Sequence, residues 1–350
     1  MNTGRCFTCT ILSGLFLVAG LSPLLAAEND WETPRTEHGY PDLQGNWTNP
    51  FQTPLERPLS LDGKQTYTEE EVIAFAKKAS EIDALRQAPI DPNRPAPEIG
   101  SRIGQQADGN FSLMLTELAK INGEYPTAYI TDPPNGQLPY IPNPQERDIF
   151  GLRSAQGHRR FDGPENLPAT SRCLSGATAL PLLRAFFDAD IEAGGSPGGD
   201  DPIRNIQIVQ NKDYVVILLE YLSLVRIIRL NDEHMLDQGA KWMGDSVAYY
   251  EGDSLIIHST DFRPEQSTAF LRTSAQLQVE ERYTRIGNNE IVFAFTVTDP
   301  EIFTQTFSAT MLLTRLPPDL KLYEYSCHEG NYSMPSMLRG ARMEEMDYFQ

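Results

Sequence analysis

Basic clusters are missing from this chain. Lys and Arg number 29 against 48 Asp and Glu, a formal charge of −19, and the acids run through both halves. Nucleic acid and anionic membranes are recognised by grouped Lys and Arg, so both are poor partners for it. Metal-ligand spacing is missing too. The five His stand at 38, 158, 234, 258 and 328, with no His-Glu-x-x-His and, beyond the first 27 residues, no paired Cys. There is no dinucleotide fingerprint, P-loop or Gly-x-Ser-x-Gly. No cofactor and no metal site are therefore expected. Beyond the first 27 residues no apolar run approaches the roughly 20 residues of a membrane-spanning helix, so no integral membrane segment is expected in the mature chain.

What is present begins with an address. Arg5, the apolar run Ile11 to Ala19, and the small residues ending at Ala27 have the order of a signal peptide: charge, short apolar helix, cleavage point. Gly14, Gly20, Ser22 and Pro23 interrupt the stretch, which argues against a membrane anchor. The expected location is periplasmic or secreted, after cleavage near Ala27. Cleavage removes Cys6 and Cys9 and leaves Cys173 and Cys327. In an oxidising compartment this pair reads as one disulfide. The competing reading is two free thiols, or Cys327 as a nucleophile beside His328.

Three regions follow. Residues 28–202 read as an extended and helical, Pro-rich part that packs on the rest. Its clearest element is a helix over 68–87, with Thr68 as N-cap, Glu69, Glu70 and Glu71 in the first turn, and an apolar stripe at Val72, Phe75, Ala76, Ala79 and Ile82. A weaker helix is predicted over Phe111 to Ile121, a helical patch over Leu180 to Phe187, and short strands within 41–47 and 128–131. Residues 203–335 form the second region and 336–350 a tail. After Ile203, nine strand-like runs follow one another: 206–210, 214–221, 224–230, 247–251, 255–262, 277–286, 291–298, 307–316 and 322–326. Turns such as Asn-Lys-Asp, Glu-Gly-Asp and Gly-Asn-Asn separate several of them. In 291–298 the bulky residues Ile291, Phe293, Phe295 and Val297 alternate with smaller ones, as a sheet with one packed face requires. Nine short-linked strands are too many for a flat sheet, and closure removes the edges. The fold class is thus mainly β with a helical N-terminal part and a C-terminal antiparallel β-barrel, lipocalin-like and closed or half-closed. A β-sandwich is the alternative. Gly45-Asn-Trp47 is similar to the Gly-x-Trp that opens lipocalin barrels.

A set of segments carries a wider resemblance. They include Asp42-Leu-Gln-Gly-Asn-Trp-Thr-Asn49, Thr53-Pro-Leu-Glu-Arg-Pro58, Asp132-Pro-Pro-Asn-Gly136 and Trp242-Met-Gly-Asp-Ser246. Phe295-Thr-Val-Thr-Asp-Pro300 and Tyr323-Glu-Tyr-Ser-Cys-His-Glu-Gly-Asn-Tyr332 complete it. With these the chain resembles a large family of exported bacterial proteins with no assigned chemistry. The resemblance implies no substrate. It implies a His-Asp pair where this chain has Ser223 and Leu224, and a carboxylate where it has His258, so an acid–base site there would be rearranged.

The candidate site residues follow. Cys327-His-Glu-Gly-Asn-Tyr332 is the densest polar cluster, with His328 as proton carrier, Glu329 to orient it, and Asn331 and Tyr332 to bind substrate. The plainer reading is a disulfide-anchored turn with a solvated His. His258 shares a strand face with Ile256 and Thr260 and is placed inside the barrel, as a second base or as a satisfied core His. Arg226 and Glu281, with Ser223, are either pocket-lining groups or paired charges on the solvent face. Ser254 in Gly252-Asp-Ser-Leu255 spells a hydrolase signature but opens a strand, the wrong turn for a nucleophile. Asp232, Glu233, His234 and Asp237 read as a polar turn. The expected function is an exported, cofactor-independent enzyme acting on a small neutral or cationic molecule in a barrel pocket by hydrolysis, elimination or isomerisation. The alternative is a non-catalytic carrier of a small ligand.

Overall fold

The computed structural model describes residues 31–87, 89, 92, 93, 95, 117–174, 205–235, 238–267 and 271–347. The signal segment, residues 111–116 of the second predicted helix, the patch Leu180 to Phe187 and Asp237 lie outside these residues. The chain divides into Met1–Glu32 and Thr33–Gln350, and every helix and strand among the described residues belongs to the second unit.

The first strand, β1, is Gly45–Thr48, and β2 is Thr66–Tyr67. Helix α1, Glu69–Gln87, starts as its sequence demands. The Thr68 hydroxyl accepts from the Glu71 amide at 3.3 Å, and the Glu71 carboxylate accepts from the Thr68 amide at 2.7 Å, a reciprocal cap. Val72, Phe75 and Ala76 are half-buried and Ala79 is buried, so these four residues of the predicted stripe face the protein. The predicted second helix is not continued over 117–121. Glu117 instead bridges Phe51, and Ile121 bridges Glu124. Then come β3 (Tyr125–Pro126), β4 (Ile130–Asp132) and the short helix α2 (Ile149–Ala155).

Eight strands follow. They are β5 (Ile206–Gln210), β6 (Tyr214–Leu219), β7 (Val225–Leu230) and β8 (Asp245–Glu251), then β9 (Ser254–Thr260), β10 (Gln278–Gly287), β11 (Glu290–Thr298) and β12 (Phe307–Arg315). The predicted ninth run, Leu322 to Ser326, is coil. The barrel nevertheless has nine strands, because β1 pairs with β5 on one side and β12 on the other and closes the ring. A boundary at 203 is therefore wrong: the N-terminal region supplies a stave of the wall and does not merely pack on it. Residues 336–347 of the expected tail are also structured, belonging to α3, Ser333–Asp347.

Parity explains the one departure from an antiparallel barrel. A ring in which every neighbour runs opposite needs an even number of strands. With nine, one join must be parallel, and it is β7 with β8. A parallel join needs a crossover in place of a tight hairpin, and residues 231–244 provide it.

The core fills the ring. Ile291, Phe293, Phe295 and Val297 are at most 2% exposed and point inward, as their alternation predicts. They join Trp47, Tyr283 and the inward residues of the other strands in one buried cluster. Trp47 lies between two guanidiniums, Arg315 of the last strand at 4.4 Å and Arg285 at 5.9 Å. Gly45 has φ of +131°, and a Cβ there would collide with Arg315, so only glycine fits this crossing.

Candidate functional site

The residues singled out from the sequence do not meet in one place. Cys173 and Cys327 form a disulfide, which removes Cys327 as a nucleophile. In the turn that follows, His328, Glu329 and Tyr332 are exposed. Asn331 has a structural task. Its amide donates to the Ser171 carbonyl at 2.8 Å, and its oxygen accepts from the amide of Met334 at 3.3 Å at the start of α3. The Ser223 hydroxyl accepts from the Tyr325 amide at 3.1 Å. This cluster is a tied-down chain end.

Arg226 and Glu281 are inside the barrel, 4% and 1% exposed. The guanidinium donates to both carboxylate oxygens, at 2.9 and 2.5 Å, and to Ser259 at 3.1 Å. Neither is a paired charge on the solvent face. Arg282, on the opposite face of β10, is one, donating to Glu251 at 2.6 Å. Ser254 is buried and hydrogen-bonded to Thr284 at 2.6 Å, a packing role.

His258 is a correction. It stands on the outer wall, opposite Val247 and Glu280 in the register, while Leu255, Ile257 and Ser259 point inward. Its ring stacks on Tyr249 with centroids 5.9 Å apart, and its Nδ1 is 3.7 Å from the Glu280 carboxylate. It also borders a groove of about 470 Å³ that runs over the outer faces of β9, β10 and β11. Gln278, Thr296 and Thr298 share that lining, and a second imidazole reaches it from the crossover: His234.

His234 is held by Asp245, the first residue of β8, which is outward-facing yet only 2% exposed. Its Nδ1 is 3.0 Å from Oδ2 of Asp245. An ionised carboxylate only accepts, so Nδ1 donates in this contact, and Nε2 is the ring nitrogen the contact does not use. The fold explains the meeting. The parallel join obliges the chain to cross over, and the crossover delivers His234, the Met235 amide and Lys241 onto one carboxylate. Arg229 from the end of β7 adds a bidentate contact, at 3.1 and 3.0 Å.

Burial alone pushes the Asp245 carboxyl up. The hydrogen bonds from Arg229, Lys241, His234 and Met235 outweigh it and hold the group well below the usual carboxylate range. A lowered folded-state pKa stabilises the fold above the unfolded value, 3.8, and that contribution is lost as pH falls below it. Asp245→Asn is thus expected to be less stable than the parent at pH 7. The gap should narrow steadily as pH drops from about 5 towards 2. Urea midpoints for both proteins across that range check this, and a gap independent of pH counts against the assigned role of the charge.

The site holds two imidazoles, each beside a carboxylate, at one groove. Among the described residues no cluster of three His, Cys, Asp or Glu side chains suits a metal ion. No helix among them is long and apolar enough to cross a membrane. Sequence reading placed His234 only in a polar turn. The signal that points to it is parity, since nine strands require a crossover and this is its polar segment. Comparison with protein-family models, curated proteins and solved structures finds no match for the chain.

Proposed function

We propose that the chain is an exported, cofactor-independent enzyme that acts on a small neutral or cationic organic molecule by acid–base chemistry in the outer-wall groove. The Asp245–His234 pair carries this reading. A buried carboxylate fixes one imidazole nitrogen of a ring that lines a space of substrate size. His234 Nε2 takes a proton from water or from an acidic carbon of the substrate. His258, with Glu280 beside it, returns a proton to the leaving or product atom. Gln278 and the threonine hydroxyls offer hydrogen bonds that orient the substrate. Export is supported by the N-terminal charge-and-apolar pattern and by the disulfide.

The test is turnover of a small panel: activated esters for hydrolysis, β-hydroxy carbonyls for elimination, and α-hydroxy ketones for isomerisation. General acid–base groups typically supply 10²- to 10⁴-fold in rate. His234→Ala is expected to lower kcat at least 100-fold, about 2.7 kcal/mol, with KM little changed. His328→Ala is expected to leave kcat as it was. Full activity in His234→Ala, or loss in His328→Ala, overturns the assignment. Saturable binding of panel compounds with no turnover favours the non-catalytic carrier.

A further inference from the structure

We propose that a second groove, at the end of the barrel where β12, β1, β5 and β6 meet, binds an amphipathic organic anion, a carboxylate on an alkyl chain. It is separate from the His234 groove and of about 740 Å³. Arg315, Lys321 and Asn46 line its polar end, and Leu218, Leu316 and Leu320 its apolar side.

The polar end suits an anion. Arg315 spends its Nε on the Asn288 carbonyl at 3.3 Å and lies over Trp47, and no carboxylate pairs with it or with Lys321 among the described residues. The nearby Arg285 is lowered below the usual guanidinium range, first by burial and then by the charge of Arg315, while Asp42, 4.0 Å from it, acts the other way. Asn46 carries a buried side-chain oxygen with no partner. The chain as a whole is acidic, but at physiological salt charges more than about 8 Å away are largely screened, which leaves Arg315 and Lys321 as the cations that line the groove.

The apolar end continues beyond the groove. Leu218 stands opposite Val225 in the register, and one row along Val209, Val216 and Ile227 lie side by side. Val209, Val225 and Ile227 are 47%, 48% and 62% exposed, an apolar strip on an outer wall that water should not favour. From β12 to β7 is four strand spacings, roughly 19 Å, enough for a long alkyl chain.

The test is equilibrium dialysis of the full mature chain with radiolabelled dodecanoate below its micellar concentration. Saturable one-to-one binding is expected. Lys321→Glu and Ile227→Lys, both surface changes, should each weaken it at least tenfold, while His234→Ala should bind as the parent does. Dodecyltrimethylammonium and acetate, which lack the charge and the tail respectively, should bind at least tenfold more weakly. Equal binding of the cationic amphiphile, or unaltered binding by both variants, overturns the proposal. So does binding to phosphatidylglycerol vesicles without binding of free dodecanoate, which would make the strip a membrane contact.

Discussion

Glu281→Ala is expected to lower unfolding stability by about 3–5 kcal/mol, measured by urea denaturation at pH 7. The size follows from where the charges lie. Glu281 and Arg226 are both nearly inaccessible, and water cannot reach a guanidinium left alone. The pair survives burial because it is well made. Arg226 donates twice to the carboxylate, and Tyr283 donates to it at 3.1 Å. Ser259 accepts from Arg226, and Ser246 bonds Ser259 at 2.8 Å. Burial works against the Arg226 charge, yet the adjoining carboxylate outweighs it and holds the guanidinium above its ordinary range. Burial and the Glu281 charge together push the Tyr283 phenol well up, so it stays a proton donor. Even so, Arg226 Nε has no partner, one mark of a constrained site. Glu281→Gln keeps the shape and isolates the charge effect if the alanine variant fails to fold. The double change Arg226→Met with Glu281→Leu removes both charges and fills the space, and is expected to recover most of the loss. A single variant within 0.5 kcal/mol of the parent would remove the claim that this pair is a structural element of the barrel.

That pair also shows how far sequence carries. Strand existence was legible wherever inward and outward residues differ in kind. The row from Ile291 to Thr298 is the clearest case, and eight of the nine predicted runs are strands. The final run failed although Tyr323-Glu-Tyr-Ser326 alternates, because the short Gly45–Thr48 far upstream already takes the place between β12 and β5 and closes the ring. Pairing between segments so distant leaves no local pattern to read. Face assignment failed at His258 for a related reason. Leu255, Ile256 and Ile257 are all apolar and all buried, so period two is silent there, and Ile256 served as a false guide. His234 was invisible as a site residue because its partner is defined by a crossover and not by spacing. The disulfide was the easy part, since compartment and count alone suggested it.

Replacing Cys173 and Cys327 together by serine is expected to reduce stability by up to about 5 kcal/mol, with the folded architecture kept. The bond joins residues 154 apart, and every strand from β5 to β12 lies within that loop. In the unfolded chain the crosslink holds the two ends of this long segment together, so oxidation removes many open conformations that the reduced chain can visit. In the folded chain the two ends are fixed by other means as well. Asn331 holds Ser171 and the first turn of α3, and Ser223 holds Tyr325. The loss should therefore appear mainly as a lower urea midpoint, with near-native circular dichroism. Wild-type protein reduced with dithiothreitol should match the double variant. The groove at His234 is built on sheet hydrogen bonds between β8, β9, β10 and β11, not on this link, so panel turnover at 25 °C should be retained by both. A midpoint unmoved by reduction would mean that the unfolded chain is already compact around these ends. Loss of turnover in a still-folded double variant would return the Cys327 turn to the centre of the chemistry, against the assignment to His234.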